Sequence, residues 1–373
     1  MFPPQSDGVR MKMLGAVSRG PDLPFSLEEL ELHGPRPDEV LVRLVATGVC
    51  HTDVVIKSMF PPAAGPVLLG HEGSGIVEEV GSEVTGIKAG DQVLLSFSSC
   101  GFCSFCKAQS PAYCLDFSSL NLPALRPDGS AKVTSDGAPV LSSFFGQSSF
   151  ASHVLVSPRN VIVVDPDLDL VTLAPLGCGI QTGAGAVLNV LKPRSDSTFV
   201  IFGAGAVGLS ALMSATSLGV ATIVAVDPVE SRRDLASTLG ANAVLDPAEG
   251  EILEKLMELT GGGASHALDT TGIPEVIAEA VRALGTRGAL VVVGLGTPEI
   301  TIDVQDMLGK GKSIRGCIEG DSDPQIFIPT LIDLHAQGLL PLDQIVTRYS
   351  FAQINEAVTD AAIGRTVKPV LVF

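Results

Sequence analysis

The stretch Thr198–Asp227 constrains the fold most. An apolar run, Thr198 to Phe202, meets the turn Gly203-Ala204-Gly205-Ala206-Val207-Gly208. An uncharged helical segment reaches about Leu218, Gly219 breaks it, and a second apolar run, Ala221 to Val226, ends at Asp227. This is the order strand, turn, helix, strand, acid, and it specifies one βαβ unit. The first glycine permits the tight turn, the second lets a pyrophosphate approach the backbone, and the third lets the helix pack on the strand. An acid 19 residues beyond Gly208 is placed to accept hydrogen bonds from a ribose, and it would repel a 2′-phosphate. The reading is a dinucleotide site for NAD rather than NADP, with Gly203, Gly205, Val207, Gly208 and Asp227 as its residues and Arg232 either against the same ribose or solvated. The segment 198–226 is also long enough to span a bilayer, but its four glycines divide it and argue against a spanning helix.

The same rhythm continues with helix 252–260, strand 266–269, helix 274–284 and strands 289–293 and 313–317, as in a doubly wound parallel sheet. The N-terminal half has a different texture. Strands at 9–17 and 40–47, separated by Gly34-Pro35-Arg36-Pro37, suggest an antiparallel meander, and 115–143 reads as a long irregular excursion. A chain of 373 residues accommodates two such domains. The α/β class also suits a composition with 40 Gly, 25 Pro and no Trp. A net charge of −17 disfavours nucleic acid and anionic membrane as partners. The N-terminus has neither a basic start nor an apolar core of the secretory kind, so a cytoplasmic location is expected.

Seven cysteines are too few and too clustered for a secreted disulfide framework. Four of them, Cys100, Cys103, Cys106 and Cys114, fall within fifteen residues, which in a reducing compartment points to a closed all-thiolate zinc site. The competing readings are a pair of disulfides or an iron–sulfur cluster. The bacterial ferredoxin run wants three residues before its fourth cysteine and a proline after it, whereas here there are seven and then Leu115. Taken singly, His71 reads as a packed histidine and Cys178 as a buried small hydrophobe. Together with Cys50 they read as two thiolates and an imidazole holding a zinc with its fourth position open, the catalytic arrangement. Asp53 is a plausible acceptor for the second ring nitrogen of His71. Glu72 reads either as a surface acid or as a neighbour of the site.

These motifs, in this order and spacing, resemble the zinc-dependent medium-chain alcohol dehydrogenases over essentially the whole chain. The resemblance implies a GroES-like, mostly β catalytic domain at 1–178 and 320–373 flanking a Rossmann domain at 179–319, with one catalytic and one structural zinc. By motif matching it makes Thr52 the hydroxyl that handles the substrate proton, His51 a pyrophosphate contact, Thr182 the nicotinamide-side threonine and Arg365 a C-terminal pyrophosphate arginine. Phe97, Leu120, Phe144, Phe145, Leu295 and Ile318 fall at substrate-channel positions. Val55 departs from liver-type enzymes, which carry a proton-relay histidine there. The segments 174–188 and 316–321 are most similar to the aryl-alcohol (benzyl-alcohol) branch, so primary aromatic alcohols and their aldehydes are the implied substrates. The alternatives are a thiol-adduct formaldehyde dehydrogenase, for which Arg126 is the one candidate pocket-mouth charge, and a non-catalytic nucleotide-binding homologue. The family also implies a homodimer formed by edge strands near 290–301, with a tetramer possible.

Overall fold

The computed structural model describes residues 10–122, 125–126 and 128–373. The chain forms two compact units. Among the described residues, one comprises those up to 178 together with 323–329 and 346–373; the other comprises 179–322 and 330–345. The stretches 320–322 and 330–345 thus group with the second unit, whereas the family resemblance implies all of 320–373 in the first.

The first unit is built on two largely antiparallel sheets. Strands β1 (Arg10–Ser18), β2 (Ser26–His33), β3 (Val40–Gly48), β4 (Val67–Leu68), β5 (Gly73–Val80) and β6 (Gln92–Leu95) are followed by β7 (Val133–Ser135), β8 (Ala138–Val140), β9 (His153–Val156) and β10 (Val161–Val164). One sheet has the order β4-β1-β2-β7-β8. The other runs β10-β6-β5-β3-β18-β17, with β9 also paired to β3; its last two strands, β17 (Val346–Ser350) and β18 (Lys368–Val372), come from the far end of the chain. Apolar inward faces of these strands, among them Val40, Val42, Leu44, Val77, Val93 and Leu95, form one core cluster. Strand β3 has two register shifts against β5, at Leu41/Val42 and Leu44/Ala46, just before the chain leaves it for Cys50. Bulges of this kind re-aim the residues that follow a strand.

Three sequence expectations change here. Strand β2 was not anticipated, because Ser-Leu-Glu-Glu-Leu-Glu-Leu-His lacks strict alternation, yet it pairs with β1 along its full length. The excursion 115–143 is not featureless; it carries the helix Phe117–Asn121 and the β7–β8 hairpin, which extends the first sheet from β2. Arg126 is buried, and its guanidinium makes two hydrogen bonds of 2.7 Å to the Glu39 carboxylate, so it is not available at a pocket mouth.

The second unit is a six-stranded, wholly parallel sheet. It comprises β11 (Thr198–Phe202), β12 (Thr222–Val226), β13 (Ala243–Leu245), β14 (Ala264–Asp269), β15 (Leu284–Val292) and β16 (Ser313–Gly316), in the order β13-β12-β11-β14-β15-β16. Helices 206–217, 230–238, 252–259, 274–283 and 304–310 alternate with these strands. The core joins Val200, Phe202, Val224 and Leu290 to the inner faces of the 252–259 and 274–283 helices. Leu290 lies on β15, which is paired on both sides; the sheet edges are β13 and β16, so an edge-strand contact at 290 is not what this sheet offers. The uncharged stretch 198–226 is divided into strand, helix and strand. Among the described residues no single helix is long and apolar enough to cross a membrane.

Candidate active site and metal centres

Cys50 ends the excursion from β3 and caps the helix His51–Met59. At the third position of that helix stands Asp53, whose carboxylate ties together three parts of the site. Its Oδ2 accepts from the Cys50 N–H at 3.0 Å, and its Oδ1 accepts from the Gly70 N–H at 2.9 Å and lies 3.0 Å from His71 Nδ1. Gly70 is required at its place: it has φ +87°, and a Cβ there would come 2.5 Å from the Phe150 backbone nitrogen. This turn delivers His71, which is fully buried. Its other ring nitrogen, Nε2, is buried without a hydrogen-bond partner.

Cys178, at the end of the short helix Ala174–Gly177, completes the group. One donor atom from each of Cys50, His71 and Cys178 lies within 4.8 Å of the others. Cys178, together with His71 and Lys368, holds the Cys50 thiol well below its ordinary value despite burial. Burial pushes the His71 imidazole toward neutrality, but Asp53 and Cys50 outweigh it and raise it well above its ordinary range. An orphaned imidazole nitrogen and two convergent thiols, with Asp53 fixing the imidazole tautomer, are a donor set that fits zinc with one position left for an exogenous oxygen. The Thr52 hydroxyl is 3.6 Å from Cys50 Sγ, within reach of a ligand at that position.

Beside this cluster, Glu72 is no surface acid: it is fully buried and ion-paired to Lys368, itself buried. Aromatic rings close the other side. Phe145 stacks on the His71 ring at 4.6 Å between centroids, Phe144 meets it edge-on at 5.1 Å, and Phe117 bridges Phe145 to Phe97. Phe97 and Phe144 are themselves buried, so they back the wall more than they face an opening. Leu120, half-buried, lies on the Phe117–Asn121 helix. Leu295 and Ile318 are exposed residues of the second unit.

The four-cysteine run forms a second cluster whose sulfurs all lie within 4.8 Å of one another, with no disulfide at any cysteine of the chain. Backbone N–H groups of Cys100, Cys103 and Cys106 point at the sulfurs of Cys114, Cys100 and Cys103, at 3.3, 3.3 and 3.5 Å. Such N–H···S contacts favour thiolates, and the donor set fits a closed tetrahedral zinc. The two disulfides considered for this run are absent.

In the second unit, the glycine turn has the geometry a pyrophosphate needs. Gly203 has φ +92°. A Cβ at Gly205 would meet nothing within 4 Å, whereas one at Gly208 would lie 1.9 Å from the Gly203 carbonyl oxygen. The middle position is open to a ligand and the third is closed by packing. The helix Ala206–Ser217 begins here, and the first N–H groups of a helix have no partner within it. Asp227, at the end of β12, is buried; its Oδ2 accepts from the Ala204 N–H at 2.7 Å and its Oδ1 from the Val229 N–H at 2.8 Å, which locks it beside the turn. Arg232 is half-buried on the next helix, and Thr182 lies on the helix Gly179–Gly185. His51 is exposed on the helix that Cys50 caps. Arg365 is exposed and bonded to Asp360 at 2.5 Å.

The residues that sequence reasoning missed are buried polar side chains around the site. Gln147, buried, accepts from the Gly73 N–H at 3.0 Å and donates to the His71 carbonyl at 2.9 Å. Lys368, Asn160 and Lys132 are likewise buried and carry no local motif.

Comparison with known proteins shows the family. The model of the alcohol dehydrogenase GroES-like domain matches residues 36–166, and that of the zinc-binding dehydrogenase matches 206–337. The chain belongs to the zinc-dependent medium-chain alcohol dehydrogenase family. It is 46% identical over 362 residues to a geraniol dehydrogenase of Castellaniella defragrans, covering 96% of this chain and 97% of that one. A crystal structure of an alcohol dehydrogenase zinc-binding domain protein from Burkholderia ambifaria superimposes with a TM-score of 0.95 at 45% identity, covering 98% of this chain and all of that one. The benzyl alcohol dehydrogenase of Acinetobacter calcoaceticus superimposes with a TM-score of 0.93 at 43% identity, covering 97% and 99%.

Proposed function

We propose that this enzyme interconverts primary aromatic, benzyl-type alcohols and their aldehydes, using NAD and a zinc held by Cys50, His71 and Cys178. The observation that carries the reading is the convergence of those three donors around a buried, unpartnered His71 Nε2. When bound, zinc supplies Lewis-acid polarisation that lowers the pKa of the alcohol oxygen, and the nicotinamide supplies the hydride acceptor.

The chain's own residues do the rest. Asp53 fixes the His71 tautomer through Nδ1. The Thr52 hydroxyl relays the alcohol proton, passing its own on as it takes the substrate's, so that no charge rests on the threonine. Val55 cannot carry that proton onward, so the relay leaves Thr52 by a route other than the side chain at 55. The Gly203–Gly208 turn and the helix start at Ala206 receive the pyrophosphate, with His51 and Arg365 as further contacts and Thr182 beside the nicotinamide. Asp227 binds the ribose hydroxyls and disfavours a 2′-phosphate, with Arg232 at the same ribose. A second zinc on Cys100, Cys103, Cys106 and Cys114 stabilises its loop and takes no part in the chemistry.

The phenylalanines around His71 support a flat substrate, since rings pack well face to edge. Geraniol and benzyl alcohol, named for two relatives, share a planar π system next to the carbinol carbon, so an allylic alcohol is the second reading. A thiol-adduct substrate finds less support, because Arg126 is committed to Glu39. Initial rates of NADH formation with benzyl alcohol, geraniol, ethanol and an S-hydroxymethyl thiol decide among these. Benzyl alcohol is expected to lead, a lead for geraniol transfers the assignment to allylic alcohols, and silence with all four points to a non-catalytic homologue. By family likeness the working form is a homo-oligomer, a dimer or tetramer, in the cytoplasm.

A further inference from the structure

The loop carrying Phe144 and Phe145 is held in a conformation that side chains avoid. Phe145 sits at φ 48°, ψ 33°, followed by Gly146 at φ 71° and Ser148 at φ 53°. A bulky aromatic in the left-handed region persists only where its surroundings over-determine it. The conformation lays the Phe145 ring on the His71 imidazole, with an interplanar angle of 29°.

Two buried side chains hold the backbone there. Asn160 Nδ2 donates to the Phe145 carbonyl at 3.1 Å and to the Ser96 carbonyl at 2.7 Å. Lys132 Nζ donates to the Gly146 carbonyl at 3.1 Å and to the Leu155 carbonyl at 2.8 Å. Lys132 is buried, and among the described residues no carboxylate forms a salt bridge with it; Glu39 is engaged by Arg126. Burying an ammonium is costly, and Glu39, whose charge favours it, is shared with Arg126. What the lysine gains in return is its two carbonyl hydrogen bonds, one of them to the Phe145–Gly146 turn.

We infer that Lys132 is a positioning residue for the active site: with Asn160 it pins the carbonyls of the left-handed Phe145–Gly146 turn and so keeps the Phe145 ring against His71, as the wall for a flat substrate. The inference rests on the proposed reading of His71 as a metal ligand and of Phe145 as a substrate wall.

The test is a double-mutant cycle of Lys132→Met and Phe145→Leu on the zinc-loaded full chain and on its cobalt-substituted form. Lys132→Met is expected to raise KM for benzyl alcohol up to about tenfold, the size of one lost aromatic contact, with kcat and the KM for ethanol little changed. Each single variant is expected to alter the visible spectrum of cobalt bound at the catalytic site. The double variant is expected to match Phe145→Leu alone, because the lysine acts through the ring. Additive effects, or a Lys132→Met protein that loses only heat stability, would overturn the inference. Should Lys132→Met fail to fold, Phe145→Gly and Phe145→Ala test the strain directly. Glycine is expected to be the more heat-stable of the two, and the reverse order would remove the strain the tether is inferred to hold. That comparison needs neither turnover nor metal, so absence of alcohol oxidation by the parent protein would count against the proposed function alone.

Discussion

The Lys368 ammonium lies 2.8 Å from both oxygens of the Glu72 carboxylate, and neither side chain reaches solvent. Lys368 also donates to the Val49 carbonyl at 3.3 Å, next to Cys50. Attraction within the pair offsets the cost of burying both charges, so removing one partner exposes that cost. Lys368→Met is expected to destabilise the protein by about 3–5 kcal/mol, while the double variant Glu72→Leu/Lys368→Met should recover most of the loss. Denaturant unfolding of the three proteins checks this, and a double variant no better than Lys368→Met would contradict it.

Asp53 touches no substrate position but orients His71. Asp53→Asn should retain the fold while weakening metal affinity at the catalytic cluster by about 10–100-fold. Competition with a chromogenic chelator measures this, with the four-cysteine site as the internal control.

The two metal clusters should separate by variant. Cys178→Ala is expected to abolish turnover and release one zinc per chain. Cys103→Ala should release the other and chiefly lower the melting temperature. Full turnover by Cys178→Ala would contradict the catalytic assignment.

Lys132 makes stability depend on pH with a definite sign. Burial pushes its ammonium down to about 8 from an ordinary 10.5, with Arg126 and Arg36 acting in the same direction and Glu39 and Asp38 opposing. Between those two values the unfolded chain binds a proton that the folded chain has released, so the lysine's contribution to stability rises with pH across that window and falls away as pH drops through 8. The melting temperature of the parent relative to Lys132→Met should therefore increase from about pH 7.5 to about pH 9.5. A difference that stays constant with pH would contradict the buried state of this group.

Asp227→Asn should narrow the preference for NAD over NADP. The charge that repels a 2′-phosphate and binds the ribose is gone, a loss of about 1.5–3 kcal/mol in charged hydrogen bonding. The ratio of kcat/KM with the two cofactors reads it directly.

The parts of the site legible in the sequence are those whose chemistry is local in the chain. The four-cysteine run and the glycine turn with Asp227 need only spacing, and Asp53 follows Cys50 by one helical turn. The supports were not legible because their partners are remote. Lys368 meets a carboxylate 296 residues away and Gln147 meets His71 76 residues away. No periodicity distinguishes either from a surface polar residue. Arg126 failed in the opposite sense: read as a charge at a pocket mouth, it is buried, and only the tertiary fold brings Glu39 to it. Strand β2 was missed because three glutamates in eight residues suit a helix better than a sheet until β1 and β7 flank it.

Strand β18 pairs with the end of β3, and the Val49 N–H donates to the Pro369 carbonyl at 2.9 Å. The backbone leading into Cys50 is thus buttressed by residues translated 319 positions after it in the case of Lys368. During synthesis the nucleotide-binding sheet, contiguous in the chain, can assemble while the ribosome is still at work. The segment that carries Cys50 emerges long before β18 and lacks this buttress until β18 has followed it. The site of the first ligand is therefore completed only by a contact of very high sequence separation, which forms after the local elements around it.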